Sequence, residues 1–271
     1  MERRLQDRVQ RYGWDRAAHA YEAGWSNQLR PGQALMMEMA APRPGEHALE
    51  VAAGTGLVTV QLSDAVGPEG SVLATDISDF MIAQAADAIG DRGNVTFARV
   101  AAEDIEVGER RFDLAVCAFG LMYVADPAAA LACMREALGE DGRIALAVWG
   151  ARANCGWASV FPITEAKVRS DVCPLFFRLG TGDSLHLELE AAGFHRVEAR
   201  RISTTLRYES GEAAVSAAFV GGPVAMAYAR FSTEVKALVA QEYLASIEPY
   251  RSGGGYEIPG EFVVALGHNQ P

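Results

Sequence analysis

An apolar segment that runs directly into a glycine turn constrains the fold of this chain more than any other feature. Positions 49–56 read LEVAAGTG, and a helical pattern begins at Leu57. The small residues after the apolar run let a ligand approach backbone N–H groups at the start of the helix. The pattern predicts a strand, a tight turn and a helix that form a cradle suited to an adenosine ligand, or a turn that serves close packing alone.

A second apolar segment, SVLATD at 71–76, ends on an acidic residue about twenty positions after the glycine turn. A parallel strand here places Asp76 at the same edge of the sheet as the turn. An ionised carboxylate can accept two hydrogen bonds from a ribose diol. Ser78 is the better N-cap for the following helix, so we expect Asp76 to be free for a sugar rather than used as a cap.

Strand and helix patterns alternate through the rest of the first 150 residues. Strand-like segments lie near 95–100, 112–118 and 143–149, and Asp126-Pro127 is typical of a helix start. This alternation predicts a parallel sheet with helices on both faces. Further strands are expected at 195–208 and 257–267.

Three later motifs complete a recognisable set: AAED at 101–104, FDLAVCAFGLMYV at 112–124 and LGEDGRIALAVW at 138–149. With the two strand ends above, residues 45–150 resemble the class I S-adenosylmethionine-dependent methyltransferases, in particular the type 11 group that includes ubiquinone and menaquinone C-methyltransferases. The resemblance implies a three-layer, Rossmann-like α/β fold. Its seven-stranded, mostly parallel sheet has an antiparallel last strand and a helical cap, and its cofactor is S-adenosyl-L-methionine.

The resemblance also implies a set of cofactor-binding positions along the strand ends. Glycines 54 and 56 are expected to face the methionine end, where a Cβ would exclude the cofactor or strain the backbone, and Asp76 is expected to hold the ribose. The full set is Glu50, Ala52, Gly54, Gly56, Asp76, Ile77, Met81, Ala101, Ala102, Glu103, Cys117 and Ala118.

Two positions depart from the family pattern. Ala52 replaces a glycine, which a methyl group tolerates where φ is negative. Ala101 stands where Asp or Asn is common, so adenine recognition is expected to use a backbone N–H and the neighbouring acids.

The expected organisation has four parts. Residues 1–44 form an N-terminal helical lid segment, and 45–208 form the cofactor-binding core with an aromatic insertion at 151–180. Residues 209–255 form a helical cap insertion, and 256–271 form the final strand and tail. Because residues 10–28 and 210–250 lie outside the alternating core and are rich in apolar side chains, we expect them to cover the cofactor as a mobile lid.

Methyl transfer from a sulfonium requires alignment and exclusion of water more than a dedicated base. The sequence assigns no catalytic residue; His19 and Tyr123 are candidates, although the spacing of His19 places it on the outer face of its helix. Aromatic residues are expected to shape a pocket for a small, partly hydrophobic methyl acceptor: Tyr21, Trp25, Tyr123, Trp149, Trp157 and Phe161.

Composition excludes several partners. The formal net charge of −11 would repel nucleic-acid phosphates, and no apolar run is long enough to span a bilayer. The four cysteines form no C-x-x-C pair, so we expect no metal site and a reducing, cytoplasmic location without a signal peptide. The apolar insertion is compatible with a homodimer.

Three alternatives stay open at this point. A non-catalytic S-adenosylmethionine-binding protein would keep the fold without an acceptor pocket. An NAD-dependent oxidoreductase would share the glycine turn but needs a fuller G-x-G-x-x-G and a hydride-transfer dyad. A metalloid methyltransferase would need convergent thiols, for which Cys155 and Cys173 lack an evident partner.

Overall fold

The computed structural model describes residues 3–106, 108–109, 111–168 and 176–270. One sheet runs through this part of the chain in the order β3-β2-β1-β4-β5-β8-β6, and a short β7 pairs with β8. The strands are β1 His47–Val51, β2 Ser71–Asp76, β3 Val95–Arg99, β4 Phe112–Ala118, β5 Leu138–Trp149, β6 His195–Tyr208, β7 Arg251–Ser252 and β8 Gly255–His268.

Strands β1 to β5 are parallel, whereas β8 runs antiparallel to both β5 and β6. The central strands are buried on both faces because Val, Leu and Ala dominate them, as expected for a sheet covered by helices. The predicted Rossmann-like fold with an antiparallel last strand is confirmed. The two-residue β7 is an addition that no sequence pattern indicated.

Nine α-helices are found among the described residues. They are α1 Arg3–Ala40, α2 Leu57–Val66, α3 Asp79–Ile89, α4 Pro127–Ala137, α5 Val160–Glu165, α6 Ser184–Ala191, α7 Gly211–Val215, α8 Ala225–Ala229 and α9 Thr233–Ile247. A π-helical turn, Ser216–Val220, links α7 to α8. The predicted caps are present: Ser78 accepts a hydrogen bond from the Met81 N–H, and Asp126 accepts one from the Ala129 N–H.

Helix α1 is a structural member of the fold along much of its length. Its C-terminal half packs on the sheet, and a Cβ at Gly32 would lie 2.7 Å from the Phe119 ring. Farther toward its N-terminus, a Cβ at Gly24 would lie 2.9 Å from Cα of Ala217 in the π-helical turn. The two predicted lid segments therefore contact each other closely and form one continuous layer.

Candidate functional site

A cleft opens where β1, β2 and β4 end, beneath the N-terminal half of α1. The carboxyl ends of parallel strands are the usual ligand site in such sheets. Many of the predicted site residues line this cleft together: Tyr21, Trp25, Ala52, Gly54, Asp76, Ile77, Met81, Ala102, Glu103, Ala118, Tyr123, Trp149 and Trp157.

Asp76 lies at the centre of the cleft floor and is already engaged by the backbone. Its Oδ2 accepts from the Gly54 N–H at 2.9 Å, and its Oδ1 accepts from the Ser78 N–H at 2.8 Å. Ser78 caps α3 with its side chain, as predicted, and its backbone N–H also binds the Asp76 carboxylate. Each carboxylate oxygen can accept a further hydrogen bond. Burial raises the pKa of Asp76 to about 6, against the hydrogen bonds from Ser78 and Gly54.

Glu50 lines a small cavity that adjoins the cleft, together with Gly54 and the α1 residues Tyr21 and Gln33. Its side chain is buried, and its Oε2 has no hydrogen-bond partner among the described residues. Burial raises the pKa of Glu50 to about 8, against the opposing effect of the Thr59 hydroxyl, and the negative charge of Asp76 acts in the same direction as burial. An orphaned, buried carboxylate oxygen is suited to a cationic ligand group.

The turn backbone next to the cleft is strained. Ala52 has φ +58°, so the condition of a negative φ, under which a methyl group is tolerated without strain, is not met at this position. Phe119, which also lines the cleft, has φ +61°. A Cβ at Gly120 would lie 2.2 Å from Cβ of Ala52, so glycine at 120 provides the space that the alanine methyl occupies. Such strain often accumulates at ligand sites.

Several predicted site residues do not line the cleft. A Cβ at Gly56 would lie 3.1 Å from Cβ of Ala85 on α3, so this glycine permits close helix packing. Cys117 is buried, and burial raises the pKa of its thiol to about 12. His19 is exposed on the outer face of α1. Ala101 and Phe161 are the other two predicted site residues that do not line the cleft. Cys173, considered as a thiol for metalloid transfer, lies outside the described residues.

Glu103 combines a cleft position with a structural contact. Its Oε1 accepts from the N–H groups of Ala125 and Asp126, at 3.0 and 3.2 Å. It thereby joins the loop after β3 to the loop after β4.

Sequence reasoning missed a polar stripe on α1. Asp7 and Gln10 line the cleft together with Trp14 and Tyr21. Their spacing of three, four and seven residues is that of one helical face, so helical periodicity extended toward the N-terminus could have found them. Phe119, Gly222 and Pro223 also line the cleft, but no periodic pattern in the sequence indicates that they do.

Aromatic rings form the outer wall of the cleft. The rings of Trp14 and Tyr123 are 4.8 Å apart, those of Trp25 and Trp157 are 5.4 Å apart, and those of Trp149 and Trp157 are 4.7 Å apart. All three pairs are edge-to-face, an arrangement that aromatic pairs favour.

Two polar contacts fasten α1 over the site. The Ser78 hydroxyl donates to Asp15 at 2.6 Å, and Arg11 forms an ion pair with Asp79 at the start of α3. On the other side, the Trp25 indole donates to the carbonyl of Ala217 at 3.1 Å. These contacts join the N-terminal helix to both the core and the cap insertion.

The described part of the chain shows neither a metal-binding cluster nor a membrane-spanning helix. No group of three or more His, Cys, Asp or Glu side chains there is arranged to hold a metal ion. No helix in those ranges combines the length and apolarity needed to cross a membrane.

Comparisons with known proteins agree with this geometry. The family described as "Methyltransferase domain" matches residues 48–142. The ubiquinone/menaquinone biosynthesis C-methyltransferase UbiE of Teredinibacter turnerae is 37% identical over 111 residues, which are 40% of this chain and 45% of that protein. The chain thus spans about half the length of the curated relatives it matches.

Solved structures share the fold over most of the chain. The YcgJ protein from Bacillus subtilis has a TM-score of 0.62 at 15% identity, covering 89% of this chain and 99% of its own. Phosphoethanolamine N-methyltransferase 2 from Haemonchus contortus, solved with phosphomonomethylethanolamine and S-adenosylhomocysteine, has a TM-score of 0.61 at 15% identity. The match covers 99% of this chain and 60% of that one.

The matched domain, the strand order and a cleft at the ends of β1, β2 and β4 define the class of protein. Residues 48–142 form a methyltransferase domain, and the fold around it is that of the class I S-adenosylmethionine-dependent methyltransferases. Within that class, its central region is similar to the UbiE C-methyltransferases.

Proposed function

We propose that this protein transfers a methyl group from S-adenosylmethionine to a small, partly hydrophobic molecule. The observation that carries the proposal is the charge of the cleft: its ionisable lining includes the carboxylates Asp7, Asp76 and Glu103, and no described lining residue is Lys, Arg or His. S-adenosylmethionine carries positive charge on its sulfonium and ammonium groups. An acidic, aromatic-walled cleft favours such a ligand.

The residues present fit this cofactor. Asp76 would hold the ribose hydroxyls, Gly54 would let the methionine end approach the turn, and the orphaned Oε2 of Glu50 would accept from the ammonium group. Ile77 and Met81 would provide the apolar surface for adenine. When bound, the cofactor supplies a methyl group activated by its sulfonium.

The part played by the protein is mainly to orient the acceptor and exclude water. In-line displacement gains most from alignment of the reacting atoms. The aromatic wall and the overlying α1 remove the cleft from bulk solvent, and Tyr123 is the catalytic candidate that remains in the cleft, since His19 is exposed.

We expect the methyl acceptor of this protein to differ from that of relatives that share only the matched domain. The names of the UbiE relatives state C-methylation in ubiquinone and menaquinone biosynthesis, which supports a quinone-like ring as one acceptor class. The family match ends at residue 142, whereas Trp25, Trp149 and Trp157 lie outside it. The acceptor wall is therefore built from segments that the shared domain does not determine.

Calorimetry with S-adenosylhomocysteine and with NAD tests the cofactor assignment directly. We expect micromolar or tighter binding of S-adenosylhomocysteine and none of NAD. Tritiated S-adenosylmethionine with a panel of neutral phenols, quinols and aryl ketones then tests transfer. Binding of NAD alone would refute the proposal, and cofactor binding without transfer to any class of acceptor would favour a non-catalytic binding protein.

Replacing Glu50 by glutamine is expected to stabilise the ligand-free protein at pH 8 while weakening cofactor binding. Burial raises the pKa of Glu50 from 4.5 to about 8, so the folded state retains a proton that the unfolded state releases across that range. The contribution of Glu50 to the free energy of unfolding therefore falls as pH rises from about 4.5 to 8. Glutamine has no proton to release in this range, so the Glu50→Gln variant keeps this part of its free energy of unfolding as pH rises.

Thermal unfolding at pH 5 and pH 8 measures the effect. The Tm gain of Glu50→Gln over the parent protein should be larger at pH 8, and saturating S-adenosylhomocysteine should shrink it because only the carboxylate gains an ionic partner. An equal Tm difference at both pH values would show that Glu50 does not titrate in this way.

The proposed lid can be examined by hydrogen exchange. Because the Trp25 indole donates to Ala217, residues 10–28 and 210–250 are expected to gain protection together when S-adenosylhomocysteine binds. Protection of β1 and β4 should change less. If both segments match the central strands in protection without ligand, they are a fixed part of the core and the lid hypothesis fails.

A further inference from the structure

Trp157 lines the cleft and carries a buried indole N–H donor. Among the residues that the structure describes, none is a hydrogen-bond partner of its indole Nε1, and its relative exposure is only 1%. Buried donors in folded proteins are nearly always paired with protein, ordered water or a ligand. The rings around Trp157 offer no oxygen or nitrogen acceptor, so the unpaired N–H group calls for a structural explanation.

The indole is held in place by its neighbours. Its ring packs against Trp25 at 5.4 Å and against Trp149 at 4.7 Å. The preceding Gly156 donates its N–H to the Pro259 carbonyl at 2.9 Å, and a Cβ there would lie 2.6 Å from the Tyr250 ring. The backbone and the ring of Trp157 are therefore both restrained by packing.

The adjacent Trp25 provides an internal contrast. It contributes a ring to the same wall, but its indole N–H donates to the carbonyl of Ala217. Of these two neighbouring indoles, one is satisfied within the fold and the other is not. The unpaired donor is therefore a local property of Trp157 rather than a general consequence of packing tryptophans together.

The charge of the lining limits what can pair with that donor. The ionisable side chains are the acids named above, which disfavour a carboxylate or phosphate in the cleft. The walls are flat aromatic surfaces, which favour a planar ring. An uncharged acceptor atom on a planar ring satisfies both conditions, and the oxygen of a carbonyl or a phenol is the example that the quinone-related names of the UbiE relatives favour.

We infer that the Trp157 indole N–H donates to an oxygen atom of the methyl acceptor, and that the acceptor is an uncharged, oxygen-bearing aromatic molecule. This inference rests on the proposed function, because it assigns the acceptor side of the same cleft. It makes Trp157 a specificity-determining residue that positions the acceptor ring.

Calorimetry in saturating S-adenosylhomocysteine, with 1-tetralone and tetralin as probes, tests the assignment. The two share a bicyclic carbon frame, but only 1-tetralone carries a carbonyl oxygen. We expect 1-tetralone to bind about five- to tenfold more tightly, as one net hydrogen bond allows, and 1-naphthoate to bind at least tenfold more weakly than 1-tetralone.

Two variants make the test specific. Trp157→Phe should bring the affinity ratio of 1-tetralone to tetralin close to one. Trp25→Phe removes an indole of the same size from the same wall, yet should keep the ratio, because its N–H is already used by Ala217. An unchanged ratio in Trp157→Phe, equal affinity of the two probes for the parent protein, or binding of neither probe would overturn the inference.

A second measurement does not depend on the folding of a variant. The chain has four tryptophans, so ¹⁵N-labelled indole groups give four side-chain N–H signals. With backbone-based assignment, the Trp157 signal should move downfield on addition of 1-tetralone but not of tetralin. Failure of S-adenosylhomocysteine to bind would refute the proposed function itself, whereas normal cofactor binding without these responses would refute only the role of Trp157.

Discussion

Replacing Asp76 by alanine is expected to weaken S-adenosylhomocysteine binding by about tenfold to hundredfold. The carboxylate would accept hydrogen bonds from the ribose, and such charged hydrogen bonds contribute about 1.5–3 kcal/mol. The substitution also leaves the N–H groups of Gly54 and Ser78 without their acceptor, so the turn loses part of its preorganisation. Calorimetry on the parent and variant proteins measures the change.

Asp113→Ala is the matched control. Its carboxylate also accepts a backbone N–H, from His47 at 2.8 Å, but it lies at the start of β4, at the opposite edge of the sheet. It should lower stability slightly without changing cofactor affinity. Asp76→Asn keeps the shape and an acceptor for one N–H, so we expect an intermediate loss. Unchanged affinity in a folded Asp76→Ala protein would refute the ribose assignment.

The affinity of the protein for S-adenosylhomocysteine should also depend on pH through Asp76. Burial raises its pKa to about 6, so the ionised acceptor becomes dominant only above that value in the ligand-free protein. Binding should therefore tighten as pH rises from 5 to 7.5, and Asp76→Asn should respond less over the same range.

Gly54→Ala is expected to reduce cofactor affinity at least tenfold with only a modest loss of stability. An added Cβ meets nothing within 4 Å, so the fold can accommodate it, but Gly54 lines the cleft and the methyl would enter the space that we propose for the methionine end of the cofactor. The positive φ of +57° adds about 1–2 kcal/mol of backbone strain.

Two glycines distinguish strain from exclusion of the cofactor. Gly45 has φ +85° and open space around it but lies outside the cleft, so Gly45→Ala should lose similar stability and no affinity. Gly56→Ala pushes against Ala85 on α3 and should mainly lower stability. Equal affinity losses in Gly45→Ala and Gly54→Ala would indicate a general effect of the backbone.

The order and type of the core elements were predictable because local patterns decide them. Buried parallel strands require continuous apolar segments, and helices require a capped, periodic one, so β1 to β5 and the caps at Ser78 and Asp126 were evident in the sequence. The antiparallel last strand came from the family resemblance, whereas β7 has only two residues and leaves no pattern to detect.

Part of the cofactor site was predictable for the same reason. Gly54 and Asp76 lie at strand ends, and parallel strands bring their carboxyl ends to one edge whatever the rest of the chain does. The roles within that set were not predictable. Gly56 and Gly54 have the same local signature, yet one faces α3 and the other the cleft.

What the amino-acid order by itself determined was a class I methyltransferase fold and the strand ends that line its cleft. Only the tertiary structure decided how Ala52 tolerates a positive φ opposite Gly120, that α1 contributes Asp7 and Gln10 to the site, and which indole in the wall remains unpaired. Local sequence encodes hydrophobic period and turn chemistry. The pairing of buried polar atoms depends instead on contacts between residues far apart in the chain, such as Trp25 with Ala217, and these exist only once the layers have packed.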